Sequence, residues 1–143
     1  MTINVYNTGT GVTVGERVTN IIVKDWRYRR SEKDISPCHV LDISGENAYV
    51  KWLTLTGTVQ SEIAFDASVF LINLHDESKL TIKEGGRVID GIKAHQKSTV
   101  VIEKNSRVAA VILEDDATLI IEHDAQRPDV IRGNGKVIDK NNQ

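Results

Sequence analysis

Arginine and aromatic residues alternate in one short segment, WRYRR, of this 143-residue chain. The segment comprises Trp26, Arg27, Tyr28, Arg29 and Arg30. Guanidinium groups present forked donors that match phosphate or carboxylate groups, and aromatic rings stack on sugars or bases. The segment is therefore a candidate contact site for an anionic polymer or an acidic protein. The alternative is that both rings pack against the fold while the arginines lie over them as solvated cation–π pairs.

A second set of arginines recurs at a fixed place in the sequence. Arg87 and Arg107 each precede a valine, in the lines GGRV and NSRV, and Arg17 precedes a valine in an earlier, looser copy. If equivalent residues stack, these side chains form a ridge that binds anions, although stacked like charges repel by a few tenths to about 1 kcal/mol. The alternative is a row of solvated arginines beside local carboxylates. Gln126 replaces the arginine in the next copy.

Carboxylates offer a catalytic alternative at Glu103 and Glu122, which occupy the same place in two successive copies. Glycoside hydrolysis uses two carboxyl groups roughly 5–9 Å apart across a groove. Acidic residues are spread along the whole chain, however, so we place catalysis behind binding. The four histidines lack the spacing of zinc ligands. His75 and His95 are expected to stack one coil apart as a ladder in a turn, with metal binding by the pair as the alternative. The predicted sites include no metal, and no cofactor is predicted.

Three similar lines of sequence position these residues. They read SKLTIKEGGRVIDGIKA from Ser78, STVVIEKNSRVAAVILE from Ser98 and ATLIIEHDAQRPDVIRG from Ala117, with spacings of 20 and 19 residues. Their short apolar runs are rich in β-branched residues and are bounded by Gly, Asn, Asp and Ser, which predicts strands separated by turns. The aligned apolar positions form the predicted inward columns: Leu80, Val100 and Leu119; Ile82, Ile102 and Ile121; Val88 and Val108; Ile92, Ile112 and Ile131.

A repeat of about 20 residues with two or three short strands fits a parallel β-solenoid, in which each strand pairs with its equivalent one coil away. Parallel crossovers are nearly always right-handed. We therefore predict an all-β chain with one domain, residues 1–143, folded as a single-stranded right-handed parallel β-helix of about five to six short coils. Residues 25–38 and 57–67 break the period and are predicted to be inserted loops, which in solenoids often form the binding face.

The chain resembles right-handed parallel β-helix proteins, the architecture of pectate lyases and phage tailspikes. The residues that carry the resemblance are NIIVKD, HVLDISGENAYVKWLTLTG and the three repeated lines. A weaker resemblance, through lines such as LTIKEGGRVIDGIKA, is to bactofilins, which are polymer-forming bacterial β-helices. Fold does not fix function, so neither resemblance carries catalytic residues over to this chain.

An apolar column faces outward where water favours polar residues. Thr81, Val101 and Ile120 lie between the inward positions of three successive strands. An exposed apolar stripe along a rod indicates a partner surface, most simply another copy of the chain. We therefore predict a homo-oligomer, a dimer or trimer, with these residues at its interface. The alternative is that inserted loops of the same chain cover them.

The bulk composition narrows the functional classes. The net charge of −2, from 18 basic and 20 acidic residues, makes nucleic acid an unexpected partner. No apolar stretch approaches the roughly 20 residues that span a bilayer. The start, MTINVYNTGTG, lacks the pattern of a secretory signal, so a cytoplasmic or virion-associated location is expected.

Together these features predict a non-catalytic structural or binding module. One such module is a phage structural or attachment component that recognises an anionic polysaccharide or an acidic protein surface. The first alternative is a bactofilin-like cytoplasmic scaffold that polymerises. The second is a small polysaccharide lyase or hydrolase that acts through Glu103 and Glu122.

Overall fold

The computed structural model describes residues 2–6, 12–14, 17–24 and 40–142. The WRYRR segment and the insertion expected at 25–38 lie outside the described residues. The described residues form fifteen strands and a 3₁₀ turn at Lys140–Asn142. The strands are β1 (Thr2–Tyr6), β2 (Val12–Val14), β3 (Arg17–Lys24), β4 (Val40–Ser44), β5 (Tyr49–Leu55), β6 (Gln60–Ala64), β7 (Ser68–Leu74), β8 (Lys79–Ile82), β9 (Arg87–Ala94), β10 (Thr99–Ile102), β11 (Arg107–Val108), β12 (Ala110–Leu113), β13 (Thr118–Ile121), β14 (Val130–Gly133) and β15 (Lys136–Asp139).

The chain alternates between two sheets, and the pairs formed by these strands are parallel. The first sheet has the order β1-β3-β5-β7-β9-β12-β14, and β11 also pairs with β9. The second sheet has the order β2-β4-β6-β8-β10-β13-β15. Each passage through both sheets is one coil, and the stacked coils form a parallel β-solenoid. The prediction of an all-β solenoid is confirmed, and the pairing is consistent with a right-handed parallel β-helix.

Apolar side chains from both sheets fill the inside of the solenoid. Each coil can cover its apolar side only by packing against the coils above and below it, so the coils are stable as a stack and not singly. The predicted inward columns are in register and buried: Leu80–Val100–Leu119, Ile82–Ile102–Ile121 and Val88–Val108.

One predicted column is wrong by one residue. Val111, not Ile112, pairs with Ile92 and Ile131 on the inside of the coil. Ile112 is half-buried and pairs with Lys93 on the outside. The cause is a β-bulge: between its inward-facing residues Val88 and Ile92, β9 has one residue more than the neighbouring strands have at the same place. The later positions of β9 are therefore shifted by one residue.

Residues 57–67 form a regular part of a coil and not the predicted inserted loop. Strand β6 lies within this segment and pairs with β4 and β8. Its inward side chains, Ser61 and Ile63, are buried. The Ser61 hydroxyl donates a hydrogen bond to the Leu41 carbonyl oxygen at 2.8 Å, which satisfies the polar group in the core. A serine at an inward position interrupts the apolar alternation, so the sequence pattern did not show this strand.

Side-chain hydrogen bonds stack the turns that connect the first sheet to the second. Gly57, Asp76 and Gln96 hold equivalent places in successive turns and have positive φ. The backbone N–H of Gly57 donates to Asp76 Oδ2 at 2.9 Å, and that of Asp76 donates to Gln96 Oε1 at 2.9 Å. The backbone N–H of Gln96 donates to Asp115 Oδ2 at 3.0 Å. A side chain of one coil thus satisfies a backbone donor of the coil before it.

We expect Val111→Ala to destabilise the fold more than Ile112→Ala, although isoleucine loses more atoms. Val111 is 0% exposed, so its truncation leaves a cavity and costs roughly 1.5–3 kcal/mol. Half-buried Ile112 loses contacts only on the outside of the coil, at a cost of about 1 kcal/mol or less. Urea unfolding of both variants measures the difference, and the reverse order would contradict the register.

Candidate functional site

The predicted arginine column lies on the outer side of the first sheet. Its members, in register from coil to coil, are Arg17, Tyr49, Ser68, Arg87 and Arg107. The valines that follow the last four are buried, and successive residues of a strand point to opposite faces, so the column faces outward. Arg17 belongs to the same column, but a tyrosine and a serine separate it from the other two arginines.

Arg87 and Arg107 are direct neighbours, because they are partners in adjacent parallel strands. Their backbones are about one strand spacing, roughly 4.8 Å, apart. Both side chains are exposed, and Arg87 Nη2 donates to the Asp66 carbonyl oxygen at 3.2 Å. Within the described part of the chain, no acidic side chain forms an ion pair with either guanidinium group.

The two arginines line an open cleft of 230 Å³, which we call the arginine cleft. Gln126, which replaces the arginine in the third repeat, and Asp129 also line it. Two cations and one carboxylate therefore face the cleft, and this arrangement can receive an anionic group. The full lining is Arg87, Val88, Ile89, Arg107, Val108, Ala109, Gln126 and Asp129.

Two aromatic rings hold cations at the N-terminal part of the same sheet. Arg17 Cζ lies 4.7 Å from the centroid of the Tyr49 ring, and Lys51 Nζ lies 4.5 Å from that of Trp52. At exposed sites such a contact contributes about 0.5–1 kcal/mol. The cations are thus held in place, and each covers one face of the aromatic ring beneath it.

The two sheets differ in charge. Counting the side chains that the structure describes, the strands of the first sheet carry six cations and one anion, and all seven are exposed. They are Arg17, Lys51, Arg87, Lys93, Arg107, Arg132 and Asp90. The strands of the second sheet carry three anions and two cations, namely Asp42, Glu62, Asp139, Lys79 and Lys136. The first sheet is therefore positive on its outer side, although the net charge of the chain is −2.

The first sheet bends where two successive residues face outward. In β5 these are Lys51 and Trp52, and in β9 they are Ile89 and Asp90, with buried positions on both sides of each pair. Of the five exposed large apolar side chains among the described residues, three lie along this bend: Trp52 is 40% exposed, Ile89 51% and Val130 39%. We call the apolar side chains at this bend the corner ridge. It comprises Trp52 and Leu71, which are in register, together with Val130 and with Ile89, which lies two residues before the partner of Leu71, Gly91.

Beside the corner ridge is a cleft of 180 Å³, which we call the apolar cleft. It opens at Gly91, which has no side chain at the place where its partner in β7 carries Leu71. A Cβ atom at Gly91 would lie 3.2 Å from the Ala110 carbonyl oxygen, so glycine also permits the close approach of the next coil. The lining is Leu71, Asp90, Gly91, Ile92, Lys93, Ala110 and Ile112.

The proposed oligomer stripe forms a column on the second sheet. Val101 pairs with Thr81 on one side and with Ile120 on the other. Val101 is only 8% exposed, and the other two are half-buried. The stripe is therefore less open to solvent than the sequence indicated, because stacked neighbours cover one another. A homo-oligomer through these residues stays a prediction.

Glu103 and Glu122 lie on adjacent coils, since their backbone N–H groups donate to the equivalent carbonyl groups of Ile82 and Ile102. Both are half-buried. The Lys140 ammonium group donates to both Glu122 carboxylate oxygens at 2.9 Å. An acid–base pair needs one carboxyl group free to donate a proton, and this lysine engages both oxygens of one candidate. Catalysis by this pair stays a hypothesis.

His75 and His95 stack as predicted, with ring centroids 4.9 Å apart and an interplanar angle of 6°. No group of three or more His, Cys, Asp or Glu side chains in the described ranges is arranged to hold a metal ion.

The sequence pattern missed a carboxyl pair on the second sheet. Asp42 and Glu62 are partners in adjacent strands, and Lys83 Nζ lies 3.4 Å from Glu62 Oε1. Asp42 Oδ1 is buried, and none of the described groups donates a hydrogen bond to it. Burial raises the pKa of Asp42, and the charge of Glu62 and a hydrogen bond with it raise the pKa further, against the opposing charge of Lys83. These influences together favour the protonated form of Asp42.

No family model matches the chain, and no curated protein or solved structure matches it either. The β-solenoid thus rests on the internal repeat and on the geometry of the strands. Among the described residues there is no helix long and apolar enough to cross a membrane.

Replacing Asp42 with asparagine should stabilise the protein at pH 7, because the amide donates to Glu62 without carrying a charge. In the wild type the native state binds more protons than the unfolded state between the ordinary Asp pKa of 3.8 and the raised native pKa of Asp42. The free energy of unfolding contributed by this group therefore falls as the pH rises through that window. Thermal melts should show a higher Tm for the variant at pH 7 and a shrinking difference below about pH 4.

The matched control is Asp90→Asn, the same change at an exposed position of the first sheet. It should not reproduce the increase in Tm at pH 7. An Asp42→Asn variant that is less stable than the wild type at pH 7 would contradict a raised pKa of Asp42.

Proposed function

We propose that this chain is a non-catalytic binding module, and that the outer side of its first sheet receives an anionic polymer or an acidic protein surface. The observation that carries the proposal is the direct stacking of Arg87 on Arg107 in an exposed cleft. The excess of cations along the same sheet supports it. A phage structural or attachment component remains the proposed setting.

The physical reason is the repulsion between the two stacked guanidinium groups. Like charges on partner residues of adjacent strands destabilise a sheet. An anion placed between Arg87 and Arg107 removes this repulsion and accepts charge-assisted hydrogen bonds, each worth about 1.5–3 kcal/mol. The forked donors of arginine suit planar carboxylates and phosphates better than the point charge of lysine does.

The structure brings further cations to the same side of the molecule. Arg17 and Lys51 are held by aromatic rings several coils away from the arginine cleft. A ligand that extends along the solenoid axis can therefore contact cations on several coils at once, which favours a chain-like or extended partner. The WRYRR segment stays a predicted second contact site.

The double variant Arg87→Ser/Arg107→Ser should weaken binding of polyglutamate and polygalacturonate by about tenfold or more, because two charge-assisted contacts are lost. Isothermal titration at two salt concentrations measures the affinity. The wild-type affinity should fall as salt rises, since the contacts are exposed.

The matched control, Lys79→Ser/Lys97→Ser, removes the same charge from exposed positions of the second sheet and of a turn. It should retain near wild-type affinity. Equal losses in both double variants would show a response to net charge alone and would refute a site at the arginine cleft.

A second candidate function, a scaffold that polymerises end to end, is favoured by the ends of the solenoid. Strands β14 and β15 end their sheets on one side, and β1 and β2 end them on the other. Val137 occupies an inward position in register with Leu119, yet it is 37% exposed because it lies in the last described coil. Exposed edges and core side chains favour pairing with another chain. Head-to-tail pairing of this kind gives open filaments.

For this scaffold we expect assemblies that grow with concentration in sedimentation velocity, and we expect Val137→Lys to keep the protein small. A lysine at this position would place a charge in the junction between copies. Phe65→Lys is the control, because Phe65 is 71% exposed on a turn away from the sheet ends. A wild type that stays monomeric or forms a closed dimer at high concentration would exclude the scaffold.

A further inference from the structure

We infer that the arginine cleft and the corner ridge bind one partner together, and that this partner is a polypeptide segment with acidic side chains next to aliphatic ones. This inference rests on the proposed function, and it selects an acidic protein over an acidic polysaccharide.

Ile89 belongs to both surfaces. It lines the arginine cleft together with Arg87 and Arg107, and it is also part of the corner ridge. The next residue, Asp90, lines the apolar cleft. The bulge in β9 thus separates a cleft with two guanidinium groups from a cleft lined mainly by apolar groups. A partner that fills one cleft passes over Ile89 to reach the other.

Three of the four side chains of the corner ridge are aliphatic. Ile89 and Val130 are aliphatic and offer no flat ring on which a sugar could stack. Trp52 and the half-buried Phe70 of β7 do have such rings, but Lys51 lies 4.5 Å over that of Trp52. A hydroxyl-rich polymer that covered these side chains would lose water from its polar groups without gaining hydrogen bonds in return. Aliphatic side chains of a polypeptide instead gain from the removal of apolar surface from water.

Charged side chains line both clefts beside the corner ridge. The arginine cleft provides two cations within one coil spacing, whereas the apolar cleft is lined by one cation, Lys93, and one anion, Asp90. Carboxylates of glutamate or aspartate complement the two guanidinium groups of the arginine cleft, and aliphatic residues next to them in the partner fit the apolar cleft. Exposed apolar side chains bordered by charged ones are typical of protein–protein contact sites. Charge complementarity therefore identifies the occupant as an acidic, aliphatic segment of another protein.

Asp129 lines the arginine cleft but forms no ion pair with either arginine among the described residues. Its carboxylate repels an incoming acidic side chain. Asp129→Asn should therefore strengthen the binding of an acidic partner, by about two- to fivefold for an exposed charge.

The test compares three fluorescent peptides by anisotropy with the full-length chain. The first carries two glutamates followed by two leucines, in the second serines replace the leucines, and in the third lysines replace the glutamates. We expect the first to bind about tenfold or more tighter than the second, because two leucines leave water. The third should not bind.

Ile89→Ser should weaken binding of the first peptide by about fivefold and leave binding of the second unchanged. The reason is that Ile89 is 51% exposed, so the variant removes the apolar surface that this side chain offers to the leucines. Phe65→Ser is the matched control, as it removes a more exposed apolar side chain from a turn outside this surface. Val130→Ser tests the ridge independently of Ile89, and thermal melts of each variant verify that it is folded.

The possible results separate the inference from the proposed function. One result is that the first two peptides bind equally and that Ile89→Ser and Val130→Ser leave their binding unchanged, while Arg87→Ser/Arg107→Ser abolishes it. In that case the inference fails and the proposed anion site stands. Polygalacturonate that binds tighter than the first peptide and is unaffected by Ile89→Ser would assign the surface to polysaccharide and also overturn the inference. If the double arginine variant binds every probe as the wild type does, the proposed function fails with it.

Discussion

The structure depends on the parallel backbone ladder that joins each coil to the next. The N–H and C=O groups of every strand point along the solenoid axis, and each coil therefore lies about one strand spacing, roughly 4.8 Å, from its neighbour. Equivalent side chains must then stack in columns. Inside the solenoid this stacking is favourable, since Ile82, Ile102 and Ile121 pack on one another. Outside it brings equivalent charges together, and that places Arg87 beside Arg107.

The same ladder explains which parts of the fold the sequence could predict. In β8, β10 and β13 of the second sheet the inward positions repeat without a register shift, so alternation and spacing identified the columns of Leu80 and Ile82 correctly. In the first sheet the β9 bulge adds one residue, and an alignment by similarity chose Ile112 over Val111. Similarity of residue type could not reveal this, because both are β-branched apolar residues. The local signal was Gly91, since a glycine inside a strand often marks a bulge.

The sequence predicted the candidate site in part, because spacing identifies only those positions that repeat regularly. The stacked arginines lie in the most regular copies of the repeat, and their column followed from spacing alone. The contact of Arg17 with Tyr49 joins residues of different type across a long, irregular stretch, which a search for similar lines does not detect. The corner ridge depends on two successive outward residues, as at Ile89 and Asp90, and a strict alternation assigns one of them to the core.

Stacked like charges occur at three places among the described residues, and two of them carry their own counter-charge. Glu62, beside Asp42, has Lys83 at 3.4 Å. Glu122, beside Glu103, has Lys140 at 2.9 Å.

In contrast, Arg87 and Arg107 have a backbone carbonyl contact and a nearby carboxylate, but no ion pair with the residues that the structure describes. If columns were arranged for stability alone, an acidic residue beside the arginines would be the simplest remedy, as the lysines are beside the carboxylates. The proposed acidic partner would supply the anion that the arginine pair lacks. Among the three stacked pairs of the described residues, the arginine pair is therefore the one at which an added anion would gain most from charge.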